Sequence, residues 1–468
     1  MKRRTLLQLA VSGAAIAFLL PRLFEEQSAT NSVRASPIQN FRLSGKSIKT
    51  KVRVDWKKPV AQTTPFTFGS NDYEITILEK ASDSVFQKHL AEMDIRLIRI
   101  HHIDLSERWT NRATKTWDEE KIRACYDASY PQQPTIIQNI PRWPSWMATD
   151  HDGLLSTNEY DNYATFCAQL VEILNRRQQR QIKYWEPLNE QDVPYQKAGK
   201  LNQLWEIYNK VARAMKAVDS SIQVGGPVLT WDEPNRLKDF LKTCASNVDF
   251  ISWHRYASGN PRDSTDKLMS YTPEYRRQVQ NFRKIVETYI PDRKVPLLLG
   301  EYNINYSWNS GENRHNTYVG AVWFASVFKH LADAGIDMAT SWHLKDQYYG
   351  MIDHRNNLRP AATVFRWAIK YLTGKVMYTE SGHKFVEAMA IEQSNEQRSL
   401  LLINKSAKPA SIRIEGALDF PDTERLKRLP MFSLDANGVK SRTLRTRLLK
   451  YSSVRLHPYS LVLLRLSN

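Results

Sequence analysis

The chain has few cysteines and none of the usual signatures of a metal or phosphate site. Its 468 residues include three cysteines, Cys125, Cys167 and Cys244. An odd, widely spaced set cannot form a disulfide framework, and none of them has a partner at zinc-ligand spacing. No glycine-rich phosphate loop precedes a helix, and no serine nucleophile elbow is present. The sequence therefore predicts neither a metal ion nor another cofactor.

Long apolar runs are missing after Leu20, so no later segment is long enough to cross a bilayer as a helix. Before it, the basic head Lys2-Arg3-Arg4 precedes an apolar run from Leu6 to Leu20. With small residues at 33–35, this pattern predicts an export signal peptide over residues 1–35, and its arginine pair resembles a twin-arginine signal. An uncleaved signal anchor is the alternative. We expect an exported protein, periplasmic or extracellular, with no stable membrane insertion after cleavage.

Acidic residues are in the minority, with 49 Asp and Glu against 66 Lys and Arg, which gives a net charge of +17. Such a balance favours anionic partners such as acidic polysaccharide, a membrane surface or nucleic acid. A solvated basic surface is the alternative interpretation. We read the charge as spread along the chain without a dense block after the signal, and no nucleic-acid-binding motif is present. The sequence thus predicts no nucleic-acid partner and does not fix the oligomeric state.

Short apolar runs alternate with longer amphipathic stretches over residues 65–374. The candidate strands are Phe66–Gly69, Ile95–His101, Thr135–Asn139, Ile182–Leu188, Ile222–Gly226, Val248–His254, Pro296–Glu301 and Met338–Trp342. In the helical stretches between them, such as residues 317–334, apolar residues recur at helical spacing. Eight alternations of strand and helix predict an α/β fold, a (β/α)₈ TIM barrel.

The pattern changes after Gly374. Five short strand-like runs follow, separated by turn residues and without a convincing helix: Phe385–Ile391, Arg398–Ile403, Ser411–Glu415, Leu429–Leu434 and Tyr459–Leu466. These runs predict a C-terminal antiparallel β-sandwich over residues 375–468. The N-terminal segment 36–64 is strand-like from Ser47 to Trp56 and is a candidate to join that sandwich.

Two glutamates, Glu190 and Glu301, each close a short apolar run. Burying an unpaired carboxylate at the end of a strand is costly. At the carboxyl-terminal rim of a parallel barrel, however, strand ends carry catalytic groups, and two carboxylates across one pocket can cleave a glycosidic bond. The alternatives are a helix cap for Asn189 and Glu190, and a structural salt bridge for Glu301.

Other polar and aromatic residues stand at strand ends. His254 and Tyr256 are two apart, so both face the same side of one strand, and Arg99 and His101 repeat this spacing on another. A satisfied core histidine is the alternative for His254. Trp342 ends the last strand, and its flat ring suits the apolar face of a sugar, although most tryptophans simply pack.

Two cationic residues could give the pocket a preference for an acidic sugar. Arg142 follows the third strand and Lys345 follows the eighth. A guanidinium can hold a uronic-acid carboxylate through two parallel hydrogen bonds. The sequence therefore predicts a carbohydrate substrate that could be acidic.

Several segments together resemble glycoside hydrolase family 39, the group of β-xylosidases and α-L-iduronidases. The matching segments are Ile98–His101, Trp185–Glu190, Val224–Pro227, Ile251–Tyr256, Leu299–Asn303 and Ser341–Trp342, in the order of the family, with Pro458–Leu463 resembling its closing sandwich strand. The family belongs to a superfamily with its acid/base on barrel strand 4 and its nucleophile on strand 7. Leu188 and Gln191 depart from the aromatic residue and the proline that usually flank the Asn-Glu pair.

The resemblance implies a retaining glycoside hydrolase with Glu190 as acid/base and Glu301 as nucleophile, and the N-terminal signal pattern predicts that it is exported. It implies that Asn189 contacts the sugar 2-hydroxyl and that His254 and Tyr256 support the nucleophile. Further implied residues of the sugar subsite are Arg99, His101 and Trp342. A non-catalytic carbohydrate-binding or envelope scaffold protein on the same fold is the alternative function.

Overall fold

The computed structural model of the protein describes residues 47–307, 311–419 and 427–466. The predicted export signal lies outside these residues. Within them, none of the helices combines the length and the apolar character that a membrane crossing requires.

The described strands are numbered in chain order. They are β1 Ile48–Thr63, β2 Gly69–Asp72, β3 Leu97–Ile100, β4 Thr110–Asn111, β5 Thr116–Trp117, β6 Thr135–Ile140, β7 Tyr184–Pro187, β8 Gln223–Leu229, β9 Phe250–Ser258, β10 Leu297–Asn305, β11 Met338–Ser341, β12 Gly374–Ser381, β13 Val386–Glu392, β14 Arg398–Asn404, β15 Ala410–Glu415, β16 Arg428–Asp435, β17 Gly438–Arg445, β18 Val454–Leu456 and β19 Ser460–Arg465.

The described α-helices are likewise numbered in order. They are α1 Leu78–Ala81, α2 Ser84–Met93, α3 Leu105–Arg108, α4 Glu119–Asp127, α5 Tyr160–Val171, α6 Asp192–Lys197, α7 Leu201–Val218, α8 Pro234–Cys244, α9 Thr265–Tyr271, α10 Glu274–Tyr289, α11 Tyr318–Asp333, α12 Pro360–Tyr371 and α13 Thr446–Tyr451. Short 3₁₀ turns occur at Pro65–Phe68, Glu74–Thr76, Thr157–Glu159 and Arg314–Asn316, and a π-helical turn at Glu172–Arg177 extends α5.

Eight parallel strands close into a barrel in the order β10-β11-β2-β3-β6-β7-β8-β9. The predicted (β/α)₈ barrel is therefore confirmed. In barrel order β2 is the first strand, so β7 is the fourth and β10 the seventh. The helices surround the barrel because each has an apolar stripe at helical spacing; α10, for example, buries Val279, Phe282 and Val286.

The first barrel strand differs from its prediction. Residues Pro65–Phe68 form a 3₁₀ turn, because Thr64 caps it and proline occupies its first position. The strand begins instead at Gly69. A Cβ there would lie 2.7 Å from the carbonyl oxygen of Leu97 and 2.9 Å from that of Ala339, so only glycine fits between the neighbouring strands.

The C-terminal strands form one curled, nine-stranded sheet in the order β17-β16-β19-β14-β13-β12-β1-β15-β18. It encloses its own apolar core, which includes Val54, Leu402 and Val462. Strand β1 pairs antiparallel with β12 and parallel with β15. The predicted β-sandwich is confirmed in class. The parallel β1–β15 pairing and helix α13, a stretch of good helix formers, differ from an all-antiparallel, helix-free prediction.

Candidate active site

The floor of the site is an apolar layer inside the barrel. Leu97, Ile137, Phe250, Leu298 and Met338 form this buried cluster, with Tyr184 packed against it. Side chains two positions apart on a strand face the same side. The next inward position on three of these strands is therefore polar: Arg99 above Leu97, Asn139 above Ile137 and Glu186 above Tyr184. The site is a polar layer that rests on a packed apolar one.

Arg99 is the centre of this polar layer and is fully buried. Its Nε donates to Oε2 of Glu186 at 2.5 Å, and its Nη1 donates to Oε1 of Glu301 at 3.1 Å. Nη1 also donates to Oδ1 of Asn71 at 3.0 Å, and Nη2 donates to Oδ1 of Asn189 at 2.7 Å. A buried guanidinium is stable only with such partners. Arg99 thereby fixes one catalytic candidate, Glu301, relative to residues on strands β2 and β7.

Glu301 is held at both carboxylate oxygens. Besides the bond from Arg99 to Oε1, the Tyr256 hydroxyl donates to Oε2 at 2.8 Å. Burial raises the pKa of Glu301, while His254, Arg99 and the Tyr256 hydrogen bond act in the opposite direction. Gly300 leaves the necessary room, because a Cβ there would lie 3.2 Å from Nε2 of His254. The donors around Glu301 favour its ionised form.

Glu190 leaves strand β7 through an unusual backbone. Leu188 has φ 73° and Glu190 has φ 53°, and Val228, whose carbonyl accepts the Glu190 N–H at 3.1 Å, has φ 55°. Such conformations cost of order 1–3 kcal/mol each for non-glycine residues, and they cluster at functional sites. They turn the Glu190 side chain toward Glu301 while it remains 31% exposed. Glu190 is thus the more accessible carboxyl of the two.

The environment of Glu190 keeps it protonated at neutral pH. Burial, and after it the charge of Asp192, raise the pKa of Glu190 to about 8 against the opposing charge of Arg99. Asp192 is itself fixed, because its Oδ1 accepts from the Thr230 N–H at 3.0 Å and hydroxyl at 2.7 Å. Arg236 binds its other oxygen. This arrangement is suited to a general acid.

His254 lies between the two carboxyl groups. Its Nδ1 is 2.7 Å from Oε1 of Glu190, whereas its Nε2 is 3.6 Å from Oε1 of Glu301. The second distance is too long for a hydrogen bond. Burial lowers the pKa of His254 to about 4, so the ring is neutral at neutral pH. The hydrogen bond of His254 is therefore with the acid/base candidate, and its support of the nucleophile stays a prediction.

A cluster of aromatic side chains lies beside the carboxyl pair. Tyr256, Trp342 and Tyr349 form a buried cluster, against which Tyr73, Trp231 and Tyr348 pack. The ring of His101 lies 5.3 Å from that of Trp342, and its Nδ1 is 2.8 Å from Oδ1 of Asn139. Burial holds the pKa of His101 well below its ordinary value, so it too is neutral. Flat aromatic faces and neutral polar groups of this kind suit a sugar ring.

The two cations predicted for an acidic sugar have other partners. The Lys345 ammonium donates to Oδ2 of Asp83 at 3.0 Å, and the residue is 8% exposed. Arg142 is more exposed and lies 3.8 Å from Asp104. Each of the two cations thus has a carboxylate of the protein as its neighbour. The described contacts do not connect either residue to Glu190 or Glu301.

Glu190, His254 and Glu301 each place one donor atom within 4.8 Å of the others, which is also the spacing of a three-ligand metal site. The Arg99 guanidinium lies 3.1 Å from Glu301, and it would repel a cation there. Nδ1 of His254 is already engaged by Glu190. We therefore interpret the three residues as a proton-sharing group.

Three residues of the site were missing from the sequence prediction: Asn71, Glu186 and Asp192. Glu186 had a detectable signal, because it stands two positions after Tyr184 on the same inward face. Asn71 lies on the first barrel strand, whose start was misplaced in the prediction. Asp192 offered no signal, since it acts from the first turn of α6.

Part of the chain is similar to known glycoside hydrolases. The family model for Glycosyl hydrolases family 39 matches residues 158–356, which include Glu190, His254 and Glu301. A β-xylosidase of Geobacillus stearothermophilus is 28% identical over 179 residues, which are 36% of this chain and 32% of that protein. A β-xylosidase of Caldicellulosiruptor saccharolyticus is 22% identical over 275 residues, 54% of each protein. The chain thus aligns with about a third and about half of these relatives.

Among solved structures, a monomeric β-xylosidase of Caulobacter crescentus is similar with a TM-score of 0.66. The match covers 90% of this chain and 99% of that one, at 15% identity. A likeness at this identity shows the shared fold. The matched segment and the curated relatives show a likeness to glycoside hydrolase family 39 proteins, and the solved structure shows the shared (β/α)₈ fold.

Proposed function

We propose that the protein is a retaining glycoside hydrolase. The observation that carries the proposal is the pairing of two carboxyl groups with different surroundings. Glu190 has a pKa raised to about 8, whereas Glu301 accepts hydrogen bonds from Arg99 and Tyr256. When two carboxyl groups interact this closely, the state with a single proton between them is favoured. The surroundings described here favour that proton on Glu190.

The separation of the two groups fits retention. One oxygen of Glu190 and one of Glu301 lie within 4.8 Å. Retaining glycosidases hold their carboxyl groups about 5–5.5 Å apart, whereas inverting ones need about 6.5–9.5 Å to admit a water molecule. The short separation therefore favours direct attack by Glu301 on the sugar.

In the proposed reaction, a carboxylate oxygen of Glu301 forms a bond to the anomeric carbon. The bond from that carbon to the leaving oxygen breaks, and Glu190 transfers its proton to that oxygen. Glu190, now ionised, removes a proton from water, and the resulting hydroxide releases the sugar from the Glu301 ester. Both residues return to their starting states, which completes a double displacement.

His254 fits the first step as a neutral partner. If protonated Glu190 donates to Nδ1, the ring proton sits on Nε2 and faces the Glu301 carboxylate. The other tautomer would instead place a lone pair opposite that carboxylate. The geometry therefore favours the state in which Glu190 holds the proton.

The substrate class follows from the comparisons as a proposal. Both curated relatives are β-xylosidases, so aryl β-xylosides are the first substrates to test. An acidic sugar in the catalytic subsite is less favoured, because Lys345 is bound to Asp83. The alternative function is carbohydrate binding without turnover, since the fold alone does not establish activity.

The test is hydrolysis of a panel of neutral and acidic aryl glycosides by the wild type, Glu301→Gln and a control, Glu287→Gln, which removes an exposed helical carboxylate. We expect turnover in the wild type and the control, with a loss of about 10³-fold or more in Glu301→Gln. NMR of the first-formed sugar should show the anomer of the substrate. An inverted product would exclude retention. Binding of sugars without turnover, unaffected by Glu301→Gln, would support the alternative.

Export remains a separate proposal that rests on residues 1–35. If the arginine pair directs export, replacing Arg3 and Arg4 by lysine should retain the protein in the cytoplasm of a bacterial host. Fractionation beside the wild type is the measurement. Unchanged export would instead indicate the general secretory route.

A further inference from the structure

The basic charge of this chain is concentrated, contrary to the expectation of an even spread. From residue 427 to residue 455, Asp435 is the only acidic residue against eight basic ones. The basic residues are Lys427, Arg428, Lys440, Arg442, Arg445, Arg447, Lys450 and Arg455. The pattern was hidden in the sequence because these residues are interspersed with apolar and hydroxyl side chains.

The fold places four of these eight cations on one hairpin. Strands β16 and β17 pair antiparallel, and β17 is the edge of the nine-stranded sheet. Arg428 lies directly opposite Arg445, which places their Cβ atoms about 5 Å apart on one face. Lys440 and Arg442 share the other face. Arg447 follows in the first turn of α13.

Among the described residues, six of these cations have no acidic partner. Lys427, Arg428, Arg442, Arg445 and Arg447 are exposed, and Lys440 is half-buried. Within the described ranges, their side chains make no ion pair or hydrogen bond. The one carboxylate of the segment, Asp435, is buried and lies 2.7 Å from Nδ1 of His457. The hairpin therefore presents a positive field to solvent.

Protection of a sheet edge explains only part of this pattern. Charges on an edge strand prevent pairing with another chain, and Lys440 and Arg442 can serve that purpose. Arg428 on the inner strand is not needed for it, and like charges directly opposite each other destabilise a sheet. An anionic ligand would offset that repulsion.

We propose that the β16–β17 hairpin is a docking surface for an acidic polysaccharide, which keeps the protein on a polymeric substrate or matrix. The proposal rests on the proposed function for the choice of a carbohydrate. Three of the four cations on the hairpin strands are arginines, which bind carboxylates through two parallel hydrogen bonds. The aromatic side chain of the hairpin, Phe432, stacks on Tyr371 and is not available to bases. Single-stranded nucleic acid normally uses such stacking.

The proposed docking surface is separate from the residues proposed for catalysis. In the active site the guanidinium of Arg99 is occupied by carboxylates, and Lys345 is bound to Asp83. The hairpin belongs to the C-terminal sheet, whereas Glu190 follows barrel strand β7 and Glu301 lies within barrel strand β10. Loss of hairpin charge should therefore leave turnover of a small neutral substrate unchanged.

The test compares two triple variants of the full-length chain with equal change in net charge. The hairpin variant is Lys440→Thr, Arg442→Thr and Arg445→Thr, because threonine suits a strand. The control variant is Lys88→Gln, Lys121→Gln and Lys284→Gln, three exposed lysines on barrel helices. Binding to polygalacturonate, neutral xylan, duplex DNA and anionic phosphatidylglycerol vesicles is measured at two or more salt concentrations, with thermal melting to check folding.

We expect the wild type, Glu301→Gln and the control variant to bind polygalacturonate with strong salt dependence. The hairpin variant should bind about tenfold or more weakly, with a salt slope lower by about 2. Equal binding by the hairpin and control variants would overturn the proposal, as would tighter binding of DNA or vesicles than of polygalacturonate. Binding without any turnover in the wild type would overturn the proposed function and leave the docking surface standing.

Discussion

Nδ1 of His254 lies 2.7 Å from Oε1 of Glu190, so one neutral imidazole orients the carboxyl whose pKa is raised to about 8. This contact joins strands β7 and β9 across the barrel mouth. Replacing His254 by alanine removes the alignment but not the burial that raises the pKa. We expect kcat to fall by about 10–100-fold, with the alkaline limb of the pH profile still near 8. A kcat unchanged in the His254→Ala variant would show that this contact has no role in the reaction.

The pH dependence of kcat/KM should report the two carboxyl groups. Activity requires protonated Glu190 and ionised Glu301. Because burial raises the pKa of Glu190 to about 8, activity should fall as the pH rises through about 8. The acid limb should lie above the ordinary glutamate value, since burial also raises the pKa of Glu301. A profile measured with Glu190→Gln on an aryl glycoside with an activated leaving group should lack the alkaline limb.

Asp192 should influence the position of the alkaline limb of the pH profile without contacting the substrate. Its negative charge raises the pKa of Glu190. Asp192→Asn keeps acceptor capacity for Thr230 but removes that charge. We expect the alkaline limb to move toward lower pH, while the acid limb changes less. Asp239→Asn, an exposed carboxylate on α8, is the control and should leave both limbs in place.

Tyr256 should favour the ionised nucleophile. Its hydroxyl donates to Oε2 of Glu301 at 2.8 Å, and this bond lowers the pKa of Glu301. In Tyr256→Phe the acid limb should therefore move to higher pH. We also expect kcat to fall by about tenfold or more, because an oriented hydrogen bond to a charged group is lost. An acid limb at the wild-type position would contradict this role.

Glu186 should act on the nucleophile through Arg99. It shares the guanidinium with Glu301, so its negative charge limits the field that Arg99 exerts there. Glu186→Gln leaves an acceptor for Nε but removes the charge. We expect the pKa of Glu301 to fall, so that the acid limb moves to lower pH. We also expect kcat to fall, because the nucleophile is less basic. Loss of kcat with both limbs unmoved would indicate a structural role only, and thermal melting separates that effect from unfolding.

The sequence by itself determined the fold class and the two carboxyl groups. Alternation of strand and helix is a local property of periodicity, so all eight barrel strands could be located, within a few residues. Glu190 and Glu301 were found because each ends an apolar run, and parallel strands bring their carboxyl ends to one rim. The start of the first strand was misplaced at Phe66, because its position depends on the close approach of Leu97 and Ala339 to Gly69.

Only the tertiary structure decided how these groups work. The assignment of His254 to Glu190 depends on the left-handed backbone at Leu188 and Glu190, which a strand pattern does not reveal. The sharing of Arg99 between Glu186 and Glu301 joins residues far apart in the chain. Asp192 is only two residues from Glu190, but the first turn of α6 decides where its charge lies. Local periodicity specifies which elements form. Distances between charges are set by how those elements close around a barrel, and proton affinity follows from those distances.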